Sequence, residues 1–129
     1  MTLPPYAAAL GIAELPGDGP AVLTMAFGPD VVGRPGFLHG GAIAGMLEIA
    51  ARTVLGRALA AQGGGRIDPV TVTVDYMRGG RDRMTFASAN VTRLGTRIGN
   101  VEAFAWQDDR EQPIARARMN YLLVRPNLS

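Results

Sequence analysis

One uninterrupted stretch limits what this chain can fold into. From Gly41 to about Ala61 the sequence is Ala-rich and free of proline, with Ile43, Met46, Leu47, Ala50, Val54 and Leu55 on broad apolar faces. It reads as one helix nearly surrounded by protein, and Gly63-Gly64-Gly65 stops it. Beyond the glycines the apolar period changes to that of a strand. Val70, Val72 and Val74 alternate with Thr71, Thr73 and Asp75, and strands follow over Arg83–Leu94, Arg97–Gln107 and Ile114–Val124. Gly95-Thr96 and Asp108-Asp109-Arg110-Glu111 supply turns. Upstream, residues 4–11 suit a helical turn or two ending at Gly11, Ala21–Phe27 suits a strand, and Val31–Leu38 is a loop broken by Gly33, Pro35 and Gly36. The simplest architecture is α+β: a curved antiparallel sheet, its last three strands a meander, wrapped around one long central helix. Residues 1–129 are one domain's length, with no internal repeat.

Composition then removes several chemistries. There is no cysteine, so no thiolate nucleophile, disulfide or Cys-based zinc site, and a cytoplasmic location is the default expectation. Met1-Thr2-Leu3-Pro4-Pro5-Tyr6 lacks the charged start of a signal peptide, and no apolar run reaches the roughly 20 residues of a membrane span, so a soluble protein is expected. The only serines are Ser88, inside an expected strand, and Ser129, which disfavours a Ser-His-Asp hydrolase. His39 is the single histidine and lysine is absent, which disfavours a zinc site and Schiff-base chemistry. All thirteen basic residues are arginine. They form no block and aromatic residues are few, so a nucleic-acid partner is not expected, whereas arginine suits the phosphates of a small molecule. Carboxylate chemistry remains.

The segment His39-Gly40-Gly41-Ala42-Ile43-Ala44-Gly45-Met46-Leu47-Glu48 concentrates that chemistry. Two glycines at a helix start leave backbone N–H groups uncovered where the helix dipole favours negative charge, which describes an oxyanion site. Glu48 interrupts an apolar run, and a bare charge there calls for a partner or a purpose, which describes a base or nucleophile. Each residue also has a plainer reading. Glu48 can pair with Arg52 at i+4, His39 can be a structural loop histidine, and Gly40-Gly41 can be a tight turn. Ala44, Gly45 and Ala51 near Glu48 leave room for a substrate.

These residues resemble the hotdog-fold thioesterases of the phenylacetate-degradation type, including acyl-CoA thioesterases related to 4-hydroxybenzoyl-CoA thioesterase. The resemblance rests on Gly36-Phe37-Leu38-His39-Gly40-Gly41 with an acid nine residues after the histidine, on Val72-Thr73-Val74-Asp75-Tyr76-Met77-Arg78, and on Arg93-Leu94-Gly95-Thr96-Arg97. It implies a hotdog fold and hydrolysis of a small or medium acyl-CoA, aromatic ones included, with no cofactor beyond the CoA of the substrate. By position, the Gly40 N–H polarises the thioester carbonyl, Glu48 is general base or nucleophile, and His39 shapes the loop. Phe37, Leu38, Met46 and Tyr76 line the acyl pocket. Arg78, Arg81, Arg83, Arg93 and Arg97 lie near the CoA phosphates or pantetheine arm, with Gly95-Thr96-Arg97 the first choice for a phosphate.

Helix geometry adds a constraint. Gly40 and Glu48 are eight residues apart, about 12 Å along a continuous helix at about 1.5 Å per residue. One thioester cannot touch both, because donor and base must each lie within about 3 Å of the reacting group. The site is therefore expected to pair Gly40 of one subunit with Glu48 of another in at least a homodimer, and the resemblance implies dimers that pair into tetramers.

The sequence also departs from the family. Gly33 stands where many members carry Asn or Gln, and Arg52 stands four residues after Glu48 where a Ser or Thr often assists, with Thr71 and Thr73 as alternatives. Two other functions stay open on these grounds: a non-catalytic acyl-CoA binder and a hotdog hydroxyacyl-thioester dehydratase.

Overall fold

The computed structural model describes residues 3–126; Met1, Thr2 and residues 127–129, with Ser129 among them, lie outside it. The chain runs α1 (Pro5–Leu10), β1 (Ile12–Glu14), β2 (Leu23–Met25), α2 (Gly40–Ala60), β3 (Arg66–Tyr76), β4 (Thr85–Leu94), β5 (Ile98–Trp106) and β6 (Ala115–Val124). The strands form one antiparallel sheet in the order β1-β2-β4-β5-β6-β3. β4, β5 and β6 are the expected meander. α2 links strands that end near opposite edges, so it crosses the whole sheet and packs mainly on β4 and β5.

The sheet floor is built for a close helix. β5 and β6 alternate strictly, and Val101, Ala103 and Ala105 together with Ala115, Ala117, Met119, Tyr121 and Leu123 face α2. Small alanines let the helix lie near the strands, and Ile43, Met46, Leu47, Ala50, Ala51, Leu55 and Leu59 fill the space between. Thr53, also buried, donates its hydroxyl to the Ile49 carbonyl at 2.7 Å, so that hydroxyl is not stranded.

Several expectations need correction. α2 begins at Gly40, one residue before the expected start, because His39 caps it. β2 is shorter than Ala21–Phe27, while β3 starts at Arg66, well before Val70. β1 has no counterpart among the expected elements; its few residues pair with β2, and Glu14 forms a bidentate ion pair with Arg57 of α2 at 2.6 and 2.7 Å. α2 is not nearly surrounded by its own chain. The sheet covers one side and α1 touches another, but Ala44, Gly45, Glu48, Arg52 and Gly56 form a half-buried stripe. Ala51 does not belong to that stripe, since it faces the core.

β3 is an edge strand, and its apolar face is only partly covered. Val72, Val74 and Tyr76 lie opposite Met119, Ala117 and Ala115 and so share the helix-facing side of the sheet. Yet Val72 is 45% and Tyr76 54% exposed. The register slips between Pro69 and Thr71, as expected where a proline removes a ladder donor. Among the described residues, no helix is long and apolar enough to cross a membrane.

Candidate active site

The first turn of α2 is organised by its own cap. His39 has extended backbone at φ −70° and ψ 132°, and its Nδ1 accepts the Gly41 N–H at 2.9 Å. Its backbone N–H donates to the Val31 carbonyl at 2.7 Å, which fixes the incoming loop. A Cβ at position 41 would stand 2.9 Å from the His39 ring, so glycine there lets the ring sit over the turn and a side chain would push the cap aside. Of the two glycines, therefore, only Gly40 keeps its N–H without an acceptor among the described residues. Gly41 is consumed by the cap. Gly40 is an exposed residue, and its N–H lies at the positive end of a long helix and can stabilise a developing oxyanion.

Tyr76 fixes the other side of that turn. Its hydroxyl donates to the Gly40 carbonyl at 2.8 Å, and its ring lies against Gly40, where a Cβ would be 3.6 Å from the phenol oxygen. Gly33 sits behind the histidine: a Cβ there would be 3.2 Å from the His39 Cα. The position reaches the loop but has no amide with which to hold water.

Glu48 lies on the open stripe with its side chain 43% exposed, and its Oε1 is 3.5 Å from the Nε of Arg52. The i+4 pair is thus present, but loose and solvent-exposed, a geometry worth at most about 1 kcal/mol. The carboxylate also lines a pocket of about 220 Å³ with Pro4, Tyr6, Gly45, Ile49 and Arg52. A larger groove of about 470 Å³ begins at Pro4 and Arg52 and continues past Thr53, Gly56 and Ala60 to Gly64, Gly65 and Ile67. Beneath this face, Tyr121 is fully buried and donates to the Met119 sulfur at 3.2 Å. Burial pushes its phenol up to about 12, with the charge of Glu48 adding to the rise and that of Arg52 opposing it.

The remaining predicted residues separate. α2 runs without a break from Gly40 to Ala60, so the two half-sites stay about 12 Å apart in one chain. Leu38 and Met46 are packed into the core. Thr71 and Thr73 point to the outer face of the sheet, opposite Asn120 and Arg118, and the Thr71 hydroxyl accepts from Asn120 at 2.6 Å. The arginines form two groups rather than one. Arg78 and Arg81 join Phe37, Gln107, Asp109 and Gln112 around a cleft of about 310 Å³ near the start of α2, and Arg83 pairs with Asp108 at its rim. Phe37 packs against the guanidinium groups of both Arg34 and Arg81, 4.0 and 4.4 Å from its ring centre.

Gly95 and Thr96 lie at the opposite end of the helix, beside Gln62, and Arg97 follows them in the turn. Their carbonyls are taken by Arg125, at 2.8 and 3.0 Å. Nothing in the sequence marks Pro4, Tyr6 or Arg34, because only packing brings them beside Glu48 and Phe37.

The fold and this motif agree with known proteins. The family model of the thioesterase superfamily matches residues 35–114, and the chain belongs to that superfamily. Its sheet and central helix are the hotdog fold. A solved protein from Chromobacterium violaceum is 32% identical, with TM-score 0.74 and 97% of this chain and 85% of that one aligned. A phenylacetic acid degradation-related protein from Ralstonia eutropha is 18% identical, with TM-score 0.81 and coverage of 95% and 92%. A Bacillus halodurans protein solved with CoA is 21% identical, with TM-score 0.78 and coverage of 95% and 80%. The last two support the fold alone. No protein of curated function matches significantly.

Proposed function

We propose that this protein hydrolyses a small or medium acyl-CoA thioester to the free acid and CoA, at a site shared between two copies of the chain. One observation carries the reading: a single unbroken helix bears an uncovered N–H at Gly40 and a pocket-lining carboxylate at Glu48, too far apart to serve one carbonyl. Membership of the thioesterase superfamily supplies the reaction class. The CoA bound to the Bacillus halodurans protein supports CoA as the carrier.

In this mechanism the Gly40 N–H of one subunit binds the thioester oxygen. Glu48 of the other takes a proton from water as the water oxygen attacks the carbonyl carbon. The C–S bond then breaks, and the proton passes to the departing sulfur. A direct attack by Glu48, giving an acyl anhydride that water then opens, uses the same geometry. The exposed apolar side of β3 supports a two-fold pairing that brings the half-sites together, and dimers of dimers extend it. The cleft bearing Arg78 and Arg81 lies at the Gly40 end and is the better placed of the two basic groups for phosphate.

The test is thiol release over an acyl-CoA panel. Glu48→Gln is expected to lower kcat by about a hundredfold or more; a wild-type rate overturns the role of Glu48. Gly33 supports a second reading, an acyl-CoA binder without turnover, since the position carries no amide to hold water. Binding with no thiol release across the panel would establish that reading. The dehydratase reading has no comparable support, because Nδ1 of the single histidine is engaged by the Gly41 N–H.

A further inference from the structure

We infer that Tyr6, carried on the short N-terminal helix α1, is a specificity-determining residue that walls the pocket at Glu48 and limits the length of the acyl group. This rests on the acyl-thioester reading above and goes beyond it, because none of the family motif lies in α1.

The wall is built by a tight contact. Tyr6 lies so close over Gly45 that a Cβ at position 45 would stand 2.9 Å from both its ring and its hydroxyl oxygen. Gly45 is one helical turn before Glu48, so the aromatic ring lies beside the carboxylate and closes the pocket toward the start of α2. α1 is anchored independently of that ring. Ala7 and Leu10 are buried in the core, and Gly11 ends the helix in the left-handed region at φ 67°, its N–H reaching back to Ala7 and Ala8. Tyr6 itself is 53% exposed, and its hydroxyl has no hydrogen-bond partner among the described residues. Its contribution is therefore the shape of the ring.

The volume of this half-open pocket sets the expectation. A cavity of about 150 Å³ holds a benzene ring. The pocket of about 220 Å³ then takes an acyl group of roughly six to eight carbons, a single ring included. With the wall removed, the chain can extend further along the stripe.

The experiment measures binding apart from hydrolysis. In a Glu48→Gln background, straight-chain acyl-CoAs from acetyl to myristoyl are titrated by calorimetry against four proteins: Tyr6 intact, Tyr6→Ala, Tyr6→Trp and Tyr6→Phe. Affinity is expected to rise about fourfold per added carbon up to the limit set by the wall. Tyr6→Ala moves the optimum about two to four carbons longer, Tyr6→Trp moves it shorter, and Tyr6→Phe leaves it in place. Opposite shifts from alanine and tryptophan are not produced by general destabilisation. A common optimum in all four proteins, a uniform loss at every length, or no binding at any length overturns the inference. A shifting optimum without thiol release from the Glu48-intact protein removes the hydrolase reading and leaves the role of Tyr6 standing.

Discussion

The hydroxyl of Tyr76 donates to the carbonyl of Gly40 at 2.8 Å, which ties the last residue of β3 to the first residue of α2. The bond fixes the peptide at the mouth of the candidate oxyanion site, although the tyrosine itself is largely exposed. Tyr76→Phe keeps the ring packing and loses this bond. The expected result is a stability loss of about 1 kcal/mol, a fall in melting temperature of about 3–5 °C, and a fall in kcat larger than any rise in KM. Thermal unfolding and steady-state thiol release measure both effects. An unchanged kcat separates Tyr76 from the positioning of Gly40.

His39 is a helix cap by geometry, and its replacement can distinguish a cap from a chemical group. Asparagine is among the best N-cap residues and has no titratable imidazole. His39→Asn is therefore expected to keep most of the activity and stability. His39→Ala leaves the Gly41 N–H without its acceptor and costs about 1 kcal/mol. Loss of activity in the asparagine variant at unchanged stability would give the imidazole a chemical role.

The helix and the meander were legible because their signals are local. The proline-free run ending at three glycines marks α2 to within a residue at its start, and period-2 alternation marks β4, β5 and β6. β1 was not legible, since Ile12–Glu14 is too short to show a period and is held by pairing with β2 and by the reach of Arg57. The same boundary runs through the site. His39, Gly40 and Glu48 are readable because residues adjacent in sequence remain adjacent on a helix. Thr71 and Thr73 alternate visibly with the valines, but only the pairing of β3 with β6 decides that they face outward. The arginines look like one group in sequence, yet the helix length puts Gly95-Thr96-Arg97 at the far end from Gly40. Tyr6 carries no signal at all, because its contact depends on α1 folding back onto Gly45.

The ion pair between Glu14 and Arg57 gives the fold an acid-sensitive attachment. The guanidinium hydrogen bonds hold the Glu14 carboxyl below its usual range, against a smaller opposing effect of burial. A carboxylate whose folded pKa is depressed stabilises the fold fully above its unfolded pKa, ordinarily 4.5 here, and loses that stabilisation as pH falls through the folded value. Both side chains remain about a third exposed, so the effect is modest and screened by salt. Glu14→Gln is expected to lower the melting temperature by about 3 °C at neutral pH. The difference from wild type should narrow as pH falls through the acid range and at high salt. A difference that stays constant with pH would mean that the carboxylate charge is not the cause.

The central claim is that Gly40 and Glu48 act from different subunits, and mixing two inactive variants tests it most directly. Proline at position 40 removes the N–H at the first helical residue, where proline is tolerated, and His39 already has the extended backbone that a following proline demands. Gly40→Pro and Glu48→Gln are each expected to fold and to release no appreciable thiol. When the two are unfolded together, refolded as a mixture and assayed, half of the dimers are mixed and each holds one intact site, so about a quarter of wild-type activity returns. A mixture as inactive as its parents, with mixed dimers demonstrably present, contradicts the shared site.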